Sequence, residues 1–187
     1  MSYTWERFQE AEFFIRRIAE FQTIENNENL ITRVLTDLLS ESDENGENIF
    51  SLFRYYLSAF LSAYRSVTWV MKHEFADVEG FDTWYNKEVR PRLVADSKQK
   101  LLVELRNTSL KEALIATPSE TNVKTAESQI SGSVKWFIET DVIKSNNKIA
   151  KIPNINEIVE VDIATICQQC MNEMREIVFD CGERFSK

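Results

Sequence analysis

From Ile49 to about Phe75 the chain runs for about seven helical turns without a glycine or proline. Phe50, Phe53, Tyr56, Leu57, Phe60, Tyr64, Val67, Val70 and Met71 place apolar side chains around most of that helix. A helix that is apolar nearly all round must be covered by neighbours, because water on any side would strand its hydrophobic surface. This segment therefore predicts a mainly α fold in which other helices wrap a central one. Its polar exceptions are ordered. At about 100° per residue, Arg54, Arg65 and Lys72 fall within roughly 20° of one another, with Ser58 close by.

The flanking segments supply the wrapping. Trp5, Phe8, Ala11, Ile15 and Ile18 recur at helical spacing and predict an amphipathic helix from Thr4 to about Glu25. Leu30, Ile31, Val34, Leu35 and Leu38 predict a second helix, and the polar stretch Glu41–Asn48 a loop. After Gly80, Asp82 is read as the cap of a short helix that carries Trp84, Tyr85 and Val89 and stops before Pro91. Asp96 or Ser97 caps a helix from about Lys98 to Ile115. A last helix spans about Val161 to Phe185, with Ile163, Cys167, Cys170, Met174, Ile177 and Cys181 on one stripe.

Between the last two helices the period changes. Thr117–Ser133 has no clear repeat and reads as a loop. Val134, Trp136 and Ile138 then alternate as in a strand, and Ile149 and Ile152 follow the turn residues Ser145-Asn146-Asn147. A small β-hairpin arm is expected there, as an insertion over about 117–155 in a single domain of 187 residues.

Composition narrows the function classes. The formal net charge is −8, opposite to the field that nonspecific nucleic-acid binding needs, so any such binding requires a local basic cluster. Four glycines, at 46, 80, 132 and 182, cannot build a phosphate-cradling loop. No run of about 18 apolar residues is present, so no membrane span is expected. Met1–Glu10 lacks the apolar core of a signal peptide, and three cysteines suit reduced thiols, which together predict a cytoplasmic protein. The Cys167-Gln168-Gln169-Cys170 pair lies mid-helix on the apolar stripe, where packing is the simpler reading than redox or metal chemistry. His73, the one histidine, is read as a structural group near a helix end. No metal site and no cofactor are expected.

The segment Leu101–Glu112 contains Arg106-Asn107 followed by Lys111. Arg106-Asn107, together with Phe60–Val67 and Phe81–Tyr85, resembles the signature helix and flanking helices of the HEPN domains. In that family an Arg, usually followed by Asn, precedes a His by four to six residues. Here Lys111 stands where the His would be. The resemblance implies a compact up-down helical bundle that forms a homodimer with two motif helices face to face. It further implies metal-independent endoribonuclease chemistry in active members, within toxin–antitoxin or phage-defence systems. There the His takes the 2′-OH proton and the Arg stabilises the phosphorane charge. Lys111 is ill suited to that proton transfer. Three readings follow. The chain is a degenerate HEPN-like protein that binds RNA, a nucleotide phosphate or an antitoxin-like partner protein through Arg106, Asn107 and Lys111. Or it is an active RNase with Lys111 in place of His. Or it is a non-enzymatic helical scaffold. Arg54, Arg65 and Lys72 are the candidate anion-binding residues, with ion pairing to acids such as Glu104 or Glu112 as the alternative.

Overall fold

The computed structural model describes residues 2–20, 23–25, 49–109, 116–126, 129–138 and 148–185. The fold is mainly α. Helix α1 spans Tyr3–Glu20, strand β1 Thr23–Glu25, and helix α2 Ile49–Glu74. Helix α3 covers Phe81–Trp84, a π-helical turn Tyr85–Val89, α4 Arg90–Ala95, and α5 Ser97–Ser109. Strands β2 (Ala116–Ala126) and β3 (Gln129–Ile138) precede helices α6 (Ile155–Val159) and α7 (Ile163–Phe185).

Helix α2 is the central element, as its composition requires. Phe53, Leu57, Phe60, Leu61, Tyr64, Val67 and Met71 are buried. They meet Phe8, Ala11, Ile15 and Ile18 of α1, Leu101, Leu102 and Leu105 of α5, and the Cys167–Cys181 stripe of α7 in one core. Helices α1 and α2 run antiparallel: Phe14 lies 6.5 Å from Tyr56 at one end, and Glu74 meets Thr4 at the other.

That second contact caps α1 from outside its own sequence. The Glu74 carboxylate accepts hydrogen bonds from the Thr4 N–H and hydroxyl at 2.8 and 2.7 Å, from the Ser2 hydroxyl at 2.8 Å and from the Tyr3 N–H at 3.2 Å. It satisfies donors that a helix N-terminus leaves open. Burial by itself would raise the Glu74 pKa, but the Thr4, Ser2 and Tyr3 donors outweigh it and hold the carboxyl below its ordinary 4.5. A depressed folded-state pKa stabilises the fold above the unfolded value and loses that contribution as pH falls through the folded one. Glu74→Gln is therefore expected to lower stability by about 1 kcal/mol at pH 7. It should also reduce the steepness of acid destabilisation below pH 4.5, measured by urea unfolding at several pH values. An unchanged acid limb would show that the cap carries no such linkage.

Four local expectations are corrected. Helix α1 ends at Glu20 rather than near Glu25, and Thr23–Glu25 is a strand, in keeping with the β-branched Thr23 and Ile24. Gly80, at φ 84°, is the residue before α3 in place of an Asp82 cap; a left-handed backbone there suits glycine. The helix does not stop at Pro91. Trp84, Val89 and Arg90 all keep right-handed helical angles, and the chain continues through Pro91 to Ala95. The wide π turn at Tyr85–Val89 loosens the ladder just where the proline ring would strike the carbonyl four residues back. Asp96 does cap α5, accepting the Lys98 N–H at 2.7 Å.

The fourth correction concerns the hairpin. It forms one segment earlier than expected: β3 pairs antiparallel with β2, in the stretch read as a loop, and β1 joins its other edge in the order β1-β3-β2. Ile149 and Ile152 are buried in turns, not in a strand. The register slips at Pro118/Glu120, as expected for an edge strand holding a residue with no N–H. Trp136 of β3 is buried against Phe53 of α2, ring centroids 3.8 Å apart and 5° from parallel. Asp162 joins the same sheet to α7. It accepts the Trp136 N–H at 2.8 Å and, through its other oxygen, the Thr165 N–H at 3.0 Å. The expected helix near Leu30–Ser40, the loop Glu41–Asn48 and the turn Ser145–Asn147 lie outside the described residues.

Candidate functional site

The described sequence candidates lie on two helices, α2 and α5. Arg106 and Asn107 both sit, half-buried, in the last turn of α5. They lie about 100° apart around that helix. Arg106 follows Leu102 by one turn, on the side that packs into the bundle, and its Nε is buried. Asn107 follows Val103 on the more open side. Lys111 lies outside the described residues. Of the α2 stripe, Arg54 is half-buried, Arg65 and Lys72 are exposed, and the Lys72 ammonium sits 5.2 Å from the Tyr85 ring centroid.

What the fold does assemble is a cleft of about 270 Å³ at the meeting of α2, α4, α5 and α7. Leu93 and Val94 of α4, Val103 of α5 and Met174 of α7 give it apolar walls. Val94 is 56% exposed at its lip. Val94 carries the apolar wall out to the surface. Arg65 and Lys100 stand at the rim with Glu104. Neither Arg65 nor Lys100 makes an ion pair among the described residues, whereas Arg92, Arg175 and Arg184 each pair with an acid.

A polar chain fixes one side of the cleft. The Tyr64 hydroxyl donates to Gln99 Oε1 at 2.5 Å, with the Cys170 carbonyl 3.2 Å away as a second acceptor. Gln99 Nε2 donates to Glu173 at 3.0 Å, and Arg92 lies 3.5 Å from the other Glu173 oxygen. The carboxylate can only accept, so it orients the Gln99 amide and thereby the Tyr64 hydroxyl. Burial pushes the Tyr64 phenol well above its ordinary value, so it remains a donor across the physiological range. The cleft wall is thus held by satisfied groups, as a preformed binding surface requires.

The thiols belong to the core. Burial raises Cys167 and Cys170 well above the ordinary thiol range and pushes Cys181 up to about 12. Such thiols are protonated at neutral pH and poor nucleophiles. Among the described residues, no three His, Cys, Asp or Glu side chains cluster as metal ligands would, and no helix is long and apolar enough to cross a membrane.

No sequence pattern announced the cleft, because its walls come from four segments. The available signal was Val94, an apolar residue out of phase with Val89 and Leu93 just after a proline.

The family model of bacteriophage lambda protein ea47 matches residues 43–165. No curated protein and no solved structure matches the chain. The match spans α2 to α6, including Arg106-Asn107, and it corrects the HEPN resemblance. The physical reason is the weakness of the motif. Two adjacent polar residues on a helix diverge by about 100° and define no site by themselves.

Proposed function

We propose that this chain, which belongs to the bacteriophage lambda protein ea47 family, is a non-enzymatic interaction protein that receives a segment of a partner protein in the α2–α5 cleft. The observation that carries the reading is the pairing of apolar walls with a lip valine and two rim cations that have no ion-pair partner among the described residues. A cleft of about 270 Å³ is small beside most small-molecule sites, which run to about 300–1,000 Å³. It suits one large apolar anchor side chain of a partner, worth about 1.5–3 kcal/mol when buried. Arg65 and Lys100 favour an acidic residue next to that anchor and would speed encounter with an acidic surface. Binding of RNA or a nucleotide phosphate at Arg106 and Asn107 rested on the HEPN resemblance, and the family match removes that basis.

The test compares capture of a partner by the whole protein and two variants. Val103→Trp fills the cleft and is expected to lower capture at least tenfold with an unchanged melting temperature. Arg106→Ala is expected to retain it. Undiminished capture by Val103→Trp, or loss with Arg106→Ala at unchanged stability, would move the site elsewhere.

A further inference from the structure

One end of the cleft opens onto a grouping of cations around a single tyrosine. Arg65, Thr68 and Lys72 follow one another along α2 within an arc of about 60°. The Lys72 ammonium is 5.2 Å from the Tyr85 ring centroid. The Tyr85 hydroxyl lies beside the Thr68 hydroxyl, and the charges that act on it are the Arg65 and Arg90 guanidinium groups. Arg90 reaches that side because of the π turn. In an α-helix it would lie about 140° round from Tyr85. Here its N–H donates to the Tyr85 carbonyl, five residues back, and the extra residue in the turn carries its side chain toward the tyrosine.

As it stands, the grouping is unfavourable, because like charges gathered in one place repel. Arg65, Lys72 and Arg90 are exposed, and none of them pairs with an acid among the described residues. The chain has 30 acidic residues against 22 basic ones, so partners are plentiful, and Arg92, Arg175 and Arg184 each have one. Tyr85 is buried, and burial raises its phenol against the opposing pull of Arg65 and Arg90, so it keeps its proton at neutral pH.

We infer that this corner binds a phosphoryl group, carried as a monoester on a serine, threonine or tyrosine of the partner segment that enters the adjoining cleft. Arg65 and Thr68 line the cleft as well, so the inference rests on the cleft being the partner's site. The charge count selects the occupant. A carboxylate brings one charge and two oxygens, which a single guanidinium fork satisfies. A phosphate monoester brings about 1.5 to 2 charges and three strong acceptor oxygens, enough to engage Arg65, Arg90 and Lys72 together. A phosphodiester of a nucleic-acid backbone carries only one charge, and the net charge of −8 opposes a long polyanion.

NMR titration of the whole protein with small phosphates tests this without a partner. Inorganic phosphate, at ionic strength fixed with chloride, is expected to shift the Arg65 and Arg90 side-chain Nε–H signals and the Thr68 and Tyr85 amides, saturating in the millimolar range. N-acetyl-phosphoserine amide should bind at least as tightly. Acetate and a phosphodiester dinucleotide should bind at least tenfold more weakly. Arg90→Gln and Lys72→Gln, both outside the cleft lining, should each weaken phosphate binding at least threefold. Lys87→Gln, exposed on the same π turn, should leave it unchanged. Val103→Trp should also leave it unchanged, which separates this site from the cleft: that variant reports on the cleft through capture and not through phosphate. No saturable shift at tens of millimolar phosphate, equal binding of the dinucleotide, or an equal loss with Lys87→Gln would overturn the inference and leave the reading of the cleft in place.

Discussion

Trp136→Ala is expected to destabilise the protein by about 3–5 kcal/mol, the range for deleting a buried aromatic. The indole is almost wholly buried and lies flat on Phe53 at 3.8 Å, so it joins the sheet to the central helix. Removing it gives up about 150–250 Å² of buried surface, which at about 25 cal/mol per Å² is about 4–6 kcal/mol before the site relaxes. Since a domain of this kind retains only about 5–15 kcal/mol in total, the loss is a large share. Urea unfolding should show a much lower midpoint, with Trp136→Phe in between. A shift of less than about 1 kcal/mol would mean that the sheet docks on α2 through other residues.

Asp162→Ala ranks second, at about 2–4 kcal/mol. Two losses combine. Removing the cap of α7 costs about 0.5–2 kcal/mol. The Trp136 N–H, buried and bonded to Asp162 at 2.8 Å, then loses that acceptor, which costs about 1–3 kcal/mol. Asp162→Asn keeps an acceptor oxygen and should recover part of the loss. Trp136→Ala keeps the main-chain N–H that Asp162 accepts but opens its surroundings to water, so the two substitutions should be non-additive by about 0.5–3 kcal/mol in a double-mutant cycle. Strict additivity would show that α7 and the sheet are stabilised separately.

The parts of the fold legible in the sequence are those where one signal dominates. Helix α2 was readable because no residue over about seven turns opposes it and its apolar side chains leave few polar gaps. Helix α7 was readable from one stripe, of which Ile163, Cys167, Cys170, Met174, Ile177 and Cys181 are all buried. Where two tendencies compete, the sequence misled. Strand β2 is rich in threonine (Thr117, Thr121 and Thr125), whose hydroxyl breaks an apolar alternation while its β-branch favours the strand. Pro91 is a helix terminator in isolation, yet a π turn before it absorbs the clash.

The candidate site was legible only in part. Arg65 was singled out through its place on the α2 stripe, and it does stand at the cleft rim. Lys100, Val94 and Met174 were not, since nothing local to α4, α5 or α7 tells that those three segments meet. The Arg106-Asn107 pair attracted attention for its chemistry, but helical geometry sends its two side chains different ways.

The proposed partner site is the cleft and not the Arg106 turn. Methyl NMR of the whole protein, with assigned Leu93, Val94, Val103 and Met174 signals, tests it most directly when the captured partner is added. Shifts concentrated on those four residues are predicted. Shifts confined to methyl groups on α1 or α6, with the four cleft residues unmoved, would contradict it.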